Sequence, residues 1–196
     1  MNDLEGQLAV RAARKSVESE VKGTAGGDLD LPVSFKDKRG VFVTLDTYPD
    51  RELRGCIGYP EPTYPLGVAL VRAAEAACHD PRFPPLRTSE LDKTVVEVSV
   101  LTVPEEIKVK DRKQLPTIVR VGVDGLIMER GQYRGLLLPQ VPVEWGWDPT
   151  TFLEQTCIKA GLMPDRWLDP SCRVYRFQAE IFSEEAPGGR VVRKEL

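Results

Sequence analysis

Apolar residues recur at helical spacing from the start of the chain. Leu4, Leu8, Ala12 or Ala13, Val17 and Val21 fall on one stripe, which predicts an amphipathic helix over residues 3–22 that stops at Gly23. A loop through Gly26-Gly27 and Pro32 follows. The alternating, β-branched stretch from Val41 to Thr47 predicts a strand, and Tyr48-Pro49-Asp50 turns the chain into a second strand from Leu53 to Gly58. Pro65 suits the first turn of a helix from about 64 to 79. Only Arg72 and Glu75 interrupt its small or apolar surface, so this helix is expected to be covered on most sides. Residues 80–86, Asp-Pro-Arg-Phe-Pro-Pro-Leu, cannot continue it and make a proline-pinned connection.

The rest of the chain is patterned differently. Thr94 to Val103 is a long β-branched run and reads as a strand, and residues 118–138 read as a three-stranded meander turning at Asp124-Gly125 and Gly131-Gln132. Asp148-Pro149 provides an N-cap and a proline at the first helical position, opening a helix to Ala160 that ends at Gly161. Cys172 to Phe182 reads as a strand, and the tail at Pro187-Gly188-Gly189 reads as mobile. Helices and hairpin-type strands mix without a βαβα rhythm, which predicts an α+β fold with antiparallel sheets. The first two strands, the strand at 94–103 and the last strand are expected to share one sheet with the first two helices. The meander and the helix at 149–160 form a smaller inserted unit. The division is 1–103 with 171–196 for the larger lobe and 104–170 for the insert.

Composition narrows the chemistry. The chain has 196 residues, 41% hydrophobic and 29% charged, with 27 Lys and Arg against 30 Asp and Glu for a net charge of −3. A chain of this size buries about 70% of its unfolded surface and needs no disulfide or metal staple. The slightly acidic balance argues against a nucleic-acid binder. The basic run Lys108, Lys110, Arg112 and Lys113 is interleaved with Asp111 and reads as a solvated face. No apolar run reaches membrane-span length, and the start of the chain lacks the apolar core of a signal peptide, so a cytoplasmic protein is expected.

Cys56, Cys78, Cys157 and Cys172 show no metal-ligand spacing and read as reduced thiols. His79 is the single histidine; HExxH and three-His sites cannot be built, and its place at a helix end fits a partner for the helix dipole. Phosphate-loop, dinucleotide and nucleophile-elbow signatures are absent, so no cofactor and no metal is predicted.

One stretch stands apart, LRGCIG at 53–58. Strand alternation puts Arg54, Cys56 and Gly58 on one face. Gly55 and Gly58 inside a strand mark a bulge or a place where another backbone or a ligand comes close. An Arg two residues from Cys56 favours its thiolate, giving a reactive or ligand-binding thiol; the alternative is a small buried Cys beside a structural Arg. Cys78 and Cys157 read as core residues. Glu97, within a β-branched strand, is either paired or functional, and Arg54 is an attractive partner. Gln140 follows the apolar run 136–139, where its amide can line a cleft or satisfy loop backbone.

Six stretches together resemble the AMMECR domain family: LRGCIG at 53–58, DPRFPPL at 80–86, VEVSVL at 96–101, GLLLPQV at 135–141, FLEQTC at 152–157 and KAGL at 159–162. They run in order and span residues 40 to 182. The resemblance implies a two-part α+β protein in which a smaller part with a three-stranded sheet is inserted into a larger one holding both termini. LRGCIG then faces the cleft between them. It implies no settled activity. Fusion of some related chains to a Memo-type domain implies a functional link to Memo-type proteins. His79 lies outside the family's motifs.

Two readings remain open. In the first, the chain is an enzyme acting on a peptide or other sizeable substrate. Cys56 is the nucleophile or a thiolate ligand, Arg54 stabilises the anion or binds an anionic group, Glu97 is the acid/base or orients Arg54, and Gln140 is an oxyanion donor. In the second, it is a binding or adaptor module whose cleft holds a protein segment or a small ligand, with Gly55, Gly58 and Gln140 at the binding surface. The first lacks a proton shuttle near neutral pH.

Overall fold

The computed structural model describes residues 1–26 and 30–194, so Gly27 of the expected loop lies outside the described residues. The fold is α+β. The described residues form two compact units, Met1–Leu101 with 180–194, and Thr102–Ala179. Among the described residues no helix is long and apolar enough to cross a membrane.

In the first unit, α1 (Asp3–Lys22) opens with a reciprocal cap: Asn2 accepts from the Glu5 N–H while Glu5 accepts from the Asn2 N–H. It ends where Gly23 takes φ 64° and the Gly23 and Thr24 N–H groups bond back to Glu20 and Ser19. The buried stripe is Gly6, Ala9, Val10, Ala13 and Val17, and Leu4 is left outside at 66% exposure. Small residues bring α1 close to the sheet: a Cβ on Gly6 would meet the Phe182 ring at 2.2 Å.

α2 (Leu66–Ala77) buries Leu66, Ala69, Leu70, Ala73, Ala74 and Ala77 against α1 and the sheet. Val68 is 42% exposed, so this helix is covered on one side rather than on most. Its apolar composition reflects small alanines at a close contact.

The first sheet contains β1 (Val41–Thr47), β2 (Leu53–Tyr59), β3 (Thr94–Leu101), β8 (Ala179–Glu184) and β9 (Val191–Lys194), in the order β2-β1-β3-β8-β9. Val41, Val43 and Leu45 of β1 and Val96, Val98 and Val100 of β3 point to the helices and are fully buried. Phe42, Thr44 and Asp46, with Glu97 and Ser99, point to the other, helix-free face.

In the second unit, β4 (Glu105–Glu106), β5 (Gly125–Arg130), β6 (Tyr133–Leu137) and β7 (Arg173–Phe177) form a four-stranded sheet in the order β4-β7-β5-β6. The meander expected over 118–138 is a single hairpin, β5–β6, turning at Gly131. Its expected first strand is instead a short helix, α3 (Leu115–Ile118), and a turn. β7 takes the missing place beside β5.

The strand expected over 172–182 is therefore two strands, broken at Gln178, that belong to different sheets. The glycine-rich tail is not a loose end either. It forms the β8–β9 hairpin, with Gly188 at φ 66° and the Glu185 N–H bonded to Arg190 O.

After the short α4 (Gln140–Glu144), α5 (Pro149–Lys159) is capped by Asp148, which accepts from the Thr151 N–H at 2.7 Å. Its C-terminal end lies against β6 at Gly135, where a Cβ would come within 2.3 Å of the Ala160 nitrogen.

Candidate functional site

LRGCIG makes up the first six residues of β2, an edge strand that among the described residues pairs only with β1. Cys56 faces Thr44 and Gly55 faces Leu45, but the next pair is Asp46 with Leu53. Arg54 is the extra residue of a bulge, and a bulge re-aims side chains that strict alternation would place on one face. Arg54 leaves the Cys56 row and grips Glu90 with two bonds, Nε to Oε1 at 2.8 Å and Nη2 to Oε2 at 3.2 Å, with the Phe83 ring 6.0 Å away. The Arg54–Glu97 pairing expected from sequence does not form. Glu97 is bound by Lys194 at 2.5 Å.

The proline-pinned segment 80–86 supplies the partners of the strand edge. Asp80 is 2% exposed; its Oδ2 accepts the Cys56 N–H at 2.8 Å and Arg82 Nη2 at 2.7 Å, and its Oδ1 accepts the Arg82 N–H and Nε. Arg82 Nη2 also donates to the Cys56 carbonyl at 3.3 Å. Both backbone groups that Cys56 turns away from β1 are thereby occupied, which closes part of an open sheet edge. The hydrogen-bonding guanidinium of Arg82, helped by two backbone N–H groups, holds the Asp80 carboxyl well below the usual range.

Sequence reasoning missed Asp80 and Arg82 as site residues. Their signal was an acid and a base flanking Pro81 directly after a helix. Gly55 is crowded by the Ala77 carbonyl oxygen and Gly58 by the Phe42 ring, so the close approaches that these glycines mark involve the chain's own atoms.

On the helix-free face Cys56, Thr44 and Glu97 lie in one row across β2, β1 and β3. Cys56 is the half-buried cysteine, while Cys78, Cys157 and Cys172 are buried. Thr44 Oγ1 donates to its sulfur at 3.3 Å. Burial pushes the Cys56 thiol up, and the Thr44 hydroxyl and the Arg82 charge pull the other way without overcoming it. This is opposite to the lowering expected from a neighbouring Arg54.

Asp46 lies one step along β1 from Thr44. Burial, then the charge of Glu97, raises its carboxyl to about 6. His79 Nε2 meets Glu20 at 2.8 Å. Gln140 opens α4 in the second unit, where its Oε1 is buried with no hydrogen-bond partner among the described residues. Among the described residues no three His, Cys, Asp or Glu side chains converge to hold a metal.

Comparison with known proteins places this geometry. The AMMECR1 family model matches residues 10–182. The chain belongs to the AMMECR1 family. It is 54% identical over 193 residues to Protein MJ0810 of Methanocaldococcus jannaschii, covering 98% of this chain and 96% of that one. A protein of Thermococcus gammatolerans is 56% identical, covering 97% of this chain and 96% of its own length. The crystal structure of the uncharacterized protein PH0010 from Pyrococcus horikoshii superposes with a TM-score of 0.89 at 51% identity, covering 100% of this chain and 99% of that one. The AMMECR1 family has no assigned activity.

Asp46 gives this AMMECR1 chain a measurable pH signature. Its folded carboxyl binds a proton more tightly than an unfolded one, so its contribution to stability falls as pH rises from about 4 to about 6 and stays low above that. Asp46→Asn removes the penalised charge. The variant is expected to exceed the parent by about 1–2 kcal/mol at pH 8, with the difference vanishing below pH ~4. Urea unfolding at the two pH values checks both sign and window.

Proposed function

We propose that this AMMECR1 chain is a binding module for a protein segment or small ligand, with the helix-free sheet face around Cys56 as its recognition surface. The supporting observation is that the charged groups around the thiol are held in ion pairs with other residues and none of them bonds to its sulfur. Arg54 is bound to Glu90, Arg82 to Asp80, Glu97 to Lys194 and His79 to Glu20. A thiol left with a hydroxyl partner stays protonated at neutral pH and is a weak nucleophile. With the Thr44 hydroxyl and a carboxyl that is part-protonated near pH 6, it makes a row of donors and acceptors suited to recognition. The setting for this role is the cytoplasm, with the cysteines reduced, and a Memo-type protein is one partner in keeping with the family.

Native alkylation tests the reading, because three of the four cysteines are buried and iodoacetamide reports on Cys56. The rate is expected to rise with a midpoint above the ~8.5 of a free thiol. A midpoint near 7 would overturn the reading. Ligands found by thermal shift with short peptides and metabolites are expected to survive Cys56→Ser.

The enzyme reading keeps one specific observation in its favour. Asp46, raised to about 6, is the near-neutral proton shuttle that the sequence lacked, and in that reading Asp46 rather than Glu97 serves as acid/base beside a Cys56 nucleophile. A native alkylation rate near pH 7 that falls in Asp46→Asn, although removal of that negative charge by itself favours the Cys56 thiolate, would favour it.

A further inference from the structure

We propose that the stacked pair Trp145–Trp147 in the second unit is a docking platform for an arginine or lysine side chain of a basic protein segment. It is a different surface from the Cys56 face and stands or falls independently of it. The two indole rings lie 6.2 Å apart and 19° from parallel. Trp145 is 70% exposed, whereas Trp147 packs partly against the core of the second unit, so the stack is anchored on one side and open on the other.

The turn that carries the rings is fixed by its own backbone. The Trp145 N–H donates to Val141 O at 3.2 Å, Gly146 adopts φ 64° with its N–H on Val143 O, and the Trp147 N–H donates to Pro142 O at 2.8 Å. Such a turn presents the rings at little entropic cost on binding. Val143, 55% exposed, extends the apolar surface beside them.

Charge selects the occupant. Residues 135–158 contain Glu144, Asp148 and Glu154 and no lysine or arginine, in a chain that carries 27 of those bases. Glu144 and Asp148 flank the tryptophans and are exposed, and the N-cap bond from Thr151 keeps Asp148 ionised. Among the described residues the chain's own cations stack on phenylalanine and tyrosine rings, none on these indoles. An exposed pair of indoles with ionised carboxylates on both sides attracts a cation through the ring faces and the charges together. Indole is the aromatic ring that does so best, and guanidinium can also stack on it.

The probe is a fluorescein-labelled hexa-arginine peptide followed by anisotropy. Saturable binding is expected, weakened about three- to thirtyfold by Trp145→Ala, largely restored in Trp145→Phe, and weakened by Glu144→Gln. The melting temperature of Trp145→Ala is expected to stay at the parent value, since the indole is exposed.

Three outcomes would overturn the proposal. One is affinity unchanged by Trp145→Ala, which marks diffuse charge attraction alone. Another is equal or tighter binding of an uncharged apolar hexapeptide. The third is self-association in sedimentation that Trp145→Ala abolishes, which assigns the surface to a second copy of the chain.

Discussion

Replacing Glu184 by alanine is expected to destabilise the first unit by about 3–5 kcal/mol. Glu184 of β8 and Arg14 of α1 have 3% and 10% of their side chains exposed and form a two-pronged ion pair. The remaining valences are filled. Arg14 also donates to Leu91 O at 3.2 Å and Thr94 O at 2.5 Å, and Glu184 Oε2 accepts the Val96 N–H at 2.9 Å. Truncation leaves a buried guanidinium without its counter-charge and a buried amide without its acceptor, both costly in a low-dielectric interior.

The double variant Arg14→Met, Glu184→Leu is expected to recover most of the loss, because the penalty belongs to the orphaned charge rather than to absence of the pair. Urea unfolding followed by far-UV circular dichroism, with signal from the 20-residue α1 and 12-residue α2, measures both. A single-variant cost below about 1 kcal/mol would mean that Arg14 escapes to water on losing its partner.

The buried pair illustrates how far the sequence could be read. Features fixed by local chemistry were legible. α1 ends where Gly23 permits a left-handed residue, α5 begins at its Asp148-Pro149 cap, and β1 spans the alternating run 41–47. Features fixed by partners distant in the chain were not. The residues from Cys172 to Phe182 read as one continuous strand with no turn residue inside it, yet their pairing changes from β5 to β3 at Gln178. Pro187-Gly188-Gly189 has the composition of a mobile tail and also of a hairpin turn, and pairing with β8 decides between them.

At the site the same division holds. That Cys56 and Glu97 face the same way follows from the pairing of both with Thr44, which the period of two within each strand does not supply. The loss of Arg54 from their row follows from a bulge, of which the strand glycines Gly55 and Gly58 were the local sign. Asp46 carried no signal because its shift comes from burial and from Glu97 on the neighbouring strand.

Gly55→Ala is expected to cost about 3 kcal/mol, whereas Gly58→Ala is expected to cost roughly half of that or less. A Cβ on Gly55 would sit 2.4 Å from the Ala77 carbonyl oxygen, and that atom belongs to the last residue of α2. Backbone cannot rotate aside as a side chain does. Either β2 or the end of α2 must shift, and Asp80, three residues beyond Ala77, would shift with it. The 2.8 Å bond from the Cys56 N–H to Asp80 and the Arg82 contact to the Cys56 carbonyl would lengthen together, so the strand edge would open.

At Gly58 the obstacle is the ring of Phe42 on the helix-free face, a half-buried side chain that has other rotamers. The two substitutions therefore separate a backbone contact from a side-chain contact within one six-residue motif. Gly55→Ala should also speed native alkylation of Cys56, since loss of the Asp80 and Arg82 partners loosens the strand around it, while Gly58→Ala should leave it near the parent rate. Equal destabilisation by the two variants would remove close packing against α2 as the reason for Gly55, and would leave the motif without its structural explanation.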